Sequence, residues 1–196
     1  MADKTNQKSS SETLRPDTAV ARLKNTLPDW PAQLAFWLPA VVGLALDLWS
    51  KKAVFDHLRG NAKIEILDGI LCFVTNENPG AAFGIAAGQK YLLVGVSLAA
   101  LVTIFAIFLL GNIKERLTQL ALGLFAGGIS GNLYDRIFND GAVRDFIDVA
   151  YWPGRRWPTF NAADTMLCVA VALMLISGFF TGRRPPEHAQ QQTEVH

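Results

Sequence analysis

The stretch YLLVGVSLAALVTIFAIFLLG, Tyr91 to Gly111, carries no charged residue. Wound into an α-helix, about 20 such residues match the roughly 30 Å hydrocarbon layer of a bilayer. The run predicts a membrane-spanning helix, and three further runs take their meaning from it. Leu34 to Phe55 is apolar until Asp47, Lys51 and Lys52 near its far end; Leu117 to Ile137 is rich in glycine; Ala163 to Phe180 is closed by Gly182, Arg183 and Arg184. Composition agrees: 51% of the chain is hydrophobic and 18% charged, whereas soluble domains carry about 25% charge. The expected fold is an all-α membrane protein of four transmembrane helices, with a small extracytoplasmic β-sheet and outer loops.

Three regions follow from this pattern. Residues 1–29 are polar and lack the apolar core of a secretory signal, so they read as a disordered cytoplasmic extension. Residues 30–182 form the four-span domain, and 183–196 a polar cytoplasmic tail. An even number of spans puts both termini on one side. The short basic loop Asn112–Arg116 and the basic start of the tail place that side in the cytoplasm. Of the two outer connections, Asp56–Lys90 holds Lys63-Ile64-Glu65-Ile66-Leu67 and Ile70-Leu71-Cys72-Phe73-Val74, two short strands joined at Asp68-Gly69. The other, Asn139–Phe160, contains the turn formers Gly141, Pro153, Gly154 and Pro158, with Tyr151, Trp152 and Trp157 suited to the headgroup level.

Several chemistries fail on inventory. A net charge of +1 without a basic stripe argues against nucleic acid as a partner. Cys72 and Cys168 lack metal or redox spacing and read as buried free thiols. Gly128-Ile129-Ser130-Gly131 matches a serine-peptidase GxSG, but no histidine lies within the expected spans to activate the serine. HExxH and GxGD motifs are absent, and neither metal nor cofactor is expected.

Acids inside or beside spans are costly, which makes each a candidate for function. Asp47, Asp135, Asp145, Asp148 and Asp164 cluster at one membrane depth, at or just beyond the outer ends of the spans. Asp47 precedes Lys51 by four residues, a favourable helical pairing that reads first as structural. Gly123, Gly127 and Gly131 recur every four residues, the small-residue stripe of close helix packing in lipid. Asn132, Asp135 and Arg136 extend that helix as a polar face in which Asp135 and Arg136 could neutralise each other or other loop charges. Asn161 is a natural N-cap, and Asp164 three positions later completes a capping box with aspartate in place of glutamate. Two carboxylates in hydrogen-bonding range would share a proton, one activating water while the other donates to a carbonyl. Spacing alone does not choose between Asp145 and Asp148 as the partner of Asp164.

Four blocks resemble one family in order and spacing. Asp47-Leu48-Trp49-Ser50-Lys51 is similar to the D-x-x-x-K block of the lipoprotein signal peptidases (signal peptidase II), and Asn78-Pro79-Gly80-Ala81-Ala82-Phe83 to their N-x-G-A-A-F segment. Gly131-Asn132-Leu133-Tyr134-Asp135-Arg136 with Val143-Arg144-Asp145-Phe146-Ile147-Asp148 resembles G-N-x-x-D-R…V-x-D-F-I-D, and Phe160-Asn161-Ala162-Ala163-Asp164-Thr165 resembles F-N-x-A-D-[ST]. The resemblance implies a membrane aspartic endopeptidase that cuts diacylglyceryl-modified prolipoproteins on the amino side of the lipidated cysteine. It implies Asp145 and Asp164 as the catalytic pair, with Asn78, Asn132, Arg136 and Asn161 lining or bracing the site and Asp47 and Lys51 supporting the first span. The implied location is the bacterial inner membrane, with the site near its outer face; the implied partners are the lipid-modified substrate and membrane lipid, and the chain is expected to act as a monomer. One departure stands out: Arg144 takes a position usually apolar in the family, where it could lower the pKa of Asp145 or point into the loop. A non-enzymatic transporter or lipid-binding protein, using the same acids to hold a cation or headgroup, is the competing expectation.

Overall fold

A computed structural model of the chain describes residues 28–58, 63–81 and 84–181. The tail, nearly all of the N-terminal extension, and Ala82-Phe83 of the second block lie outside the described residues. Four helices are present: α1 (Trp30–His57), α2 (Lys90–Leu110), α3 (Arg116–Phe138) and α4 (Ala162–Thr181). Helix α1 starts four residues before the expected run because Asp29 caps it, accepting the Ala32 N–H at 2.9 Å. Asp29 also receives both amino groups of the Arg116 guanidinium, each at 3.0 Å, which ties the start of α1 to the start of α3 and holds the Asp29 carboxyl below its usual range.

Helices α1, α2 and α4 are long and apolar enough to cross a membrane. They turn large side chains such as Leu38, Val102 and Leu175 outward, as a lipid-facing surface requires. Helix α3 is of similar length but less apolar, and it packs against the other three helices. A helix wrapped by neighbours need not offer an apolar face to lipid, so its polar residues are sheltered by protein. The glycine stripe permits that wrapping. A Cβ on Gly127 would lie 2.8 Å from the Ala40 carbonyl of α1, and one on Gly128 would lie 2.8 Å from the Ala163 carbonyl of α4. Below the stripe, Phe36, Ile104, Phe108 and Leu122 join α1, α2 and α3 in an apolar cluster, with the Phe36 and Phe108 rings stacked at 4.0 Å.

At the other end of the bundle lies a four-stranded antiparallel sheet in the order β1 (Ile64–Leu67), β2 (Leu71–Asn78), β3 (Val143–Trp152), β4 (Arg155–Arg156). The β1–β2 hairpin matches the expected strands and turn, with Gly69 at φ 67°. The connection Asn139–Phe160, expected as an irregular loop, instead supplies β3 and β4. Between the expected turn formers, Val143 to Val149 has the β-branched and aromatic residues to pair with β2, and Pro153-Gly154 makes the turn back to β4. This pairing sets Asn76 opposite Asp145 and Asn78 opposite Val143. Of the thiols, Cys72 is buried as expected and Cys168 is exposed, a correction explained by its place on the outer surface of a lipid-facing helix.

Candidate active site

The site forms where α1, α3, the start of α4 and strands β2 and β3 meet. Its centre is Asn161, fully buried just before α4. The Asn161 side-chain oxygen accepts the Asp164 N–H at 3.0 Å, and Asp164 Oδ2 accepts the Asn161 N–H at 3.2 Å. The reciprocal capping box is therefore real. It does not exhaust Asp164, because the other carboxylate oxygen accepts Nδ2 of Asn132 at 2.8 Å.

The same Asn161 amide reaches the second acid. Its Nδ2 donates to Asp145 Oδ1 at 2.7 Å and to Asn132 Oδ1 at 3.1 Å, while Asn78 Nδ2 donates to Asp145 Oδ2 at 3.1 Å. All four oxygens of Asp145 and Asp164 thus accept N–H groups from uncharged amides. Asp145 is 1% exposed. Burial, and then the neighbouring Asp164 charge, push its carboxyl up from 3.8 to about 6, against the lowering effect of the Asn78 and Asn161 bonds and of Lys51. The two acids are therefore one electrostatic unit bridged by one asparagine.

Strand geometry separates Asp145 from Asp148. Residues three apart on a strand face opposite ways, and Asp148 pairs with Arg156 at 2.6 Å on the face of Cys72. Asp164 therefore meets Asp145 through Asn161, whereas Asp148 is engaged elsewhere.

Beneath the pair lies a buried charge cluster. Lys51, fully buried, forms ion pairs with Asp47 at 2.7 Å and Asp135 at 3.2 Å and donates a hydrogen bond to Asn132 Oδ1 at 3.0 Å. The structural reading of Asp47 holds and widens: its Oδ1 also accepts the Ala163 N–H at 2.8 Å, so an acid on α1 caps the first turn of α4. Two alternatives left open by the sequence are resolved. Asp135 does not ion-pair with Arg136, because neighbouring helical residues point about 100° apart; it pairs with Arg144 at 2.6 Å and with Lys51. Arg144 accordingly directs its guanidinium to Asp135. Arg136 instead donates to the Asn132 carbonyl at 3.3 Å and the Gly80 carbonyl at 3.1 Å, and Gly80 N–H in turn donates to Asn78 Oδ1 at 3.0 Å. Gly80 is the participant that sequence reading passed over. It acts through its backbone, and a Cβ there would lie 2.9 Å from the Ile85 carbonyl.

The candidates other than Asp148 are thus drawn into one network: Asp145, Asp164, Asn78, Asn132, Arg136, Asn161, Asp47 and Lys51, with Asp135 beside them. Among the described residues, no group of three or more His, Cys, Asp or Glu is placed to share a metal ion. The arrangement offers two coupled carboxylates in a shell of fixed amide donors, suited to splitting water across an amide bond.

Comparison with known proteins agrees. Residues 39–180 match the family described as "Signal peptidase (SPase) II". The chain is 37% identical over 147 residues to the lipoprotein signal peptidase of Geobacillus kaustophilus, covering 74% of this chain and 92% of that protein. It is 34% identical over 149 residues to that of Yersinia pestis, covering 74% and 86%. A bacterial membrane enzyme structure obtained by the in meso method superposes with a TM-score of 0.65 at 26% identity, over 76% of this chain and 90% of that one.

Proposed function

Since the chain belongs to the signal peptidase II family of aspartic peptidases, whose members cleave signal peptides from lipid-modified prolipoproteins, we propose that Asp145 and Asp164 are its catalytic pair. The observation that carries this assignment is the Asn161 bridge, which couples these two acids and leaves Asp148 engaged by Arg156. Asp164 accepts two N–H groups and is the base that takes a proton from water. Asp145, with its carboxyl raised to about 6, holds the shared proton and gives it to the scissile carbonyl oxygen as the water oxygen bonds to carbon. Collapse of the resulting diol breaks the C–N bond. The proton on Asp164 goes to the leaving nitrogen, and Asp145 recovers its own from the diol hydroxyl.

Asn78, Asn132 and Asn161 hold the carboxylates in place. Arg136 fixes the Gly80 carbonyl and adds positive charge beside both acids. Asp47 and Lys51 anchor α1 to α3 and α4. The bond cut is the one on the amino side of the diacylglyceryl cysteine, and the substrate enters sideways from the bilayer. The enzyme works as a monomer in the bacterial inner membrane with both termini cytoplasmic and the pair near the outer face; the basic Asn112–Arg116 loop supports that orientation. A gel-shift assay on a diacylglyceryl-modified precursor tests the assignment. Asp164→Asn lowers turnover by about 10²- to 10⁴-fold, the usual worth of a positioned acid or base, while the protein stays folded. Full activity in that variant ends the proposal.

A further inference from the structure

The catalytic network leaves one feature of the sheet unused. Beside the β3–β4 hairpin is an open cleft of about 530 Å³, bordered by Gly69 and Ile70 of the β1–β2 turn and by Tyr151, Trp152, Arg155 and Arg156. That volume lies within the range of small-molecule sites, and no acidic side chain lines it. Its two cations differ in state. Arg156 is anchored: its Nε bonds Asp148 Oδ1 at 2.6 Å and its Nη2 bonds Cys72 Sγ at 2.7 Å. Arg155 is exposed and, among the described residues, makes no ion pair. Two exposed aromatic side chains line the cleft with it, Tyr151 at 58% and Trp152 at 68%, and Trp157, 53% exposed, sets its ring edge-on to Tyr151 at 6.4 Å. Register sets Trp152 directly opposite Arg155.

Amphipathic aromatics concentrate at the headgroup level of a bilayer. The chain re-enters a span at Ala162, five residues beyond Trp157, which keeps the hairpin beside that interface. A cation in such a collar fits a lipid phosphate. The diacylglyceryl group of the peptidase substrate is uncharged, so it does not account for Arg155.

We propose that this cleft docks the phosphodiester headgroup of an anionic bilayer lipid, with Arg155 as the selecting cation and the aromatic collar seating the glycerol and upper acyl carbons. The site is separate from the acid pair and sets the height and tilt of the sheet over the membrane.

The test uses the full chain in nanodiscs of phosphatidylcholine containing a minor fraction of brominated phosphatidylglycerol or, at equal fraction, brominated phosphatidylcholine. The readout is quenching of tryptophan fluorescence, with Trp152→Phe subtracted to isolate the hairpin signal. The expected result is stronger quenching by the anionic lipid. Arg155→Gln lowers that preference about fivefold, as expected for one basic residue at a membrane surface, and Arg155→Lys largely keeps it. Equal quenching by the two lipids overturns the proposal, as does displacement by soluble glycerol phosphate at millimolar concentration, which would mark a site for free phosphate. Asp164→Asn leaves the preference unchanged, so a failed catalytic assignment and a failed lipid site are told apart.

Discussion

Replacing Asp145 by Asn should disable the site and alter the pH dependence of stability in a direction that reveals how the acid is held. Its carboxyl rises from 3.8 to about 6 in the fold, a shift of about 2 units worth roughly 3 kcal/mol at ~1.4 kcal/mol per unit. Between those two values the folded chain binds more protons than the unfolded chain, so wild-type stability falls as pH rises through the window. The cost is absent below the unfolded value and fully present above about pH 6. Asparagine carries no charge and escapes it. The replacement also loses something: Asn78 and Asn161 both donate to this carboxylate, and an amide offers only one oxygen, leaving one buried donor facing another for about 1–3 kcal/mol. The net change at pH 7 is therefore small, on the order of 1 kcal/mol in favour of the variant, whereas the difference between the two proteins changes by about 3 kcal/mol from pH 4 to pH 7. Unfolding of detergent-solubilised protein by increasing dodecyl sulfate fraction, followed by tryptophan fluorescence at several pH values, measures that difference. Groups shared by the two proteins cancel. A difference that stays flat across the window, or a wild type that gains stability over the variant as pH rises, would refute the buried-dyad reasoning.

The same raised carboxyl makes kcat/KM fall on the alkaline side with an apparent pKa near 6; a pH–rate profile that is flat to pH 8 would contradict Asp145 as proton donor. Lys51→Met leaves Asp47 without its ion-pair partner and Asp135 with Arg144 alone, costing about 3–5 kcal/mol; dodecyl sulfate midpoints check this, and adding Asp47→Asn should recover part of the loss. Gly131→Ala drives a methyl into the Asp47 carboxylate and should cost about 1–3 kcal/mol and slow turnover by shifting the cap on α4. Gly95→Ala, with nothing within 4 Å of the added carbon, serves as the steric control and should keep the midpoint or raise it slightly, by up to about 1 kcal/mol, because alanine is the better helix former.

How legible each part was depended on the kind of signal behind it. The span around Tyr91–Gly111 follows from length and apolarity alone, and the Gly123–Gly127–Gly131 stripe correctly announced close helix contact. The capping box at Asn161 and Asp164 was readable because it is local in sequence. Strand β3 is hidden in the sequence because turn formers bracket its connection and because a strand that shelters acids lacks a clean polar-apolar alternation. Asp145 and Asp148 are therefore equivalent in the sequence, since the parity that parts them exists only once the segment is a strand. The pairing of Asp135 with Arg144 was also out of reach: the two are brought together by a helix end and a strand start, a geometry with no fixed spacing. Gly80 contributes a carbonyl, which no residue type advertises.

The polar heart of α3 has a consequence for how the protein is made. Ionisable residues in a span are costly until they are paired, and Asn132, Asp135 and Arg136 crowd one end of this helix. Their partners are Lys51 on α1, emitted long before, and Arg144 and Asn161, which emerge only afterwards. Helix α3 therefore leaves the translocon as a debtor: α1 must stay at hand to receive it, and its remaining partners arrive only with the following hairpin and α4. A ribosome stalled between α3 and α4 would present the quality-control proteases of the membrane with an incompletely neutralised helix, so the residues that assemble the site also make its biogenesis a single commitment.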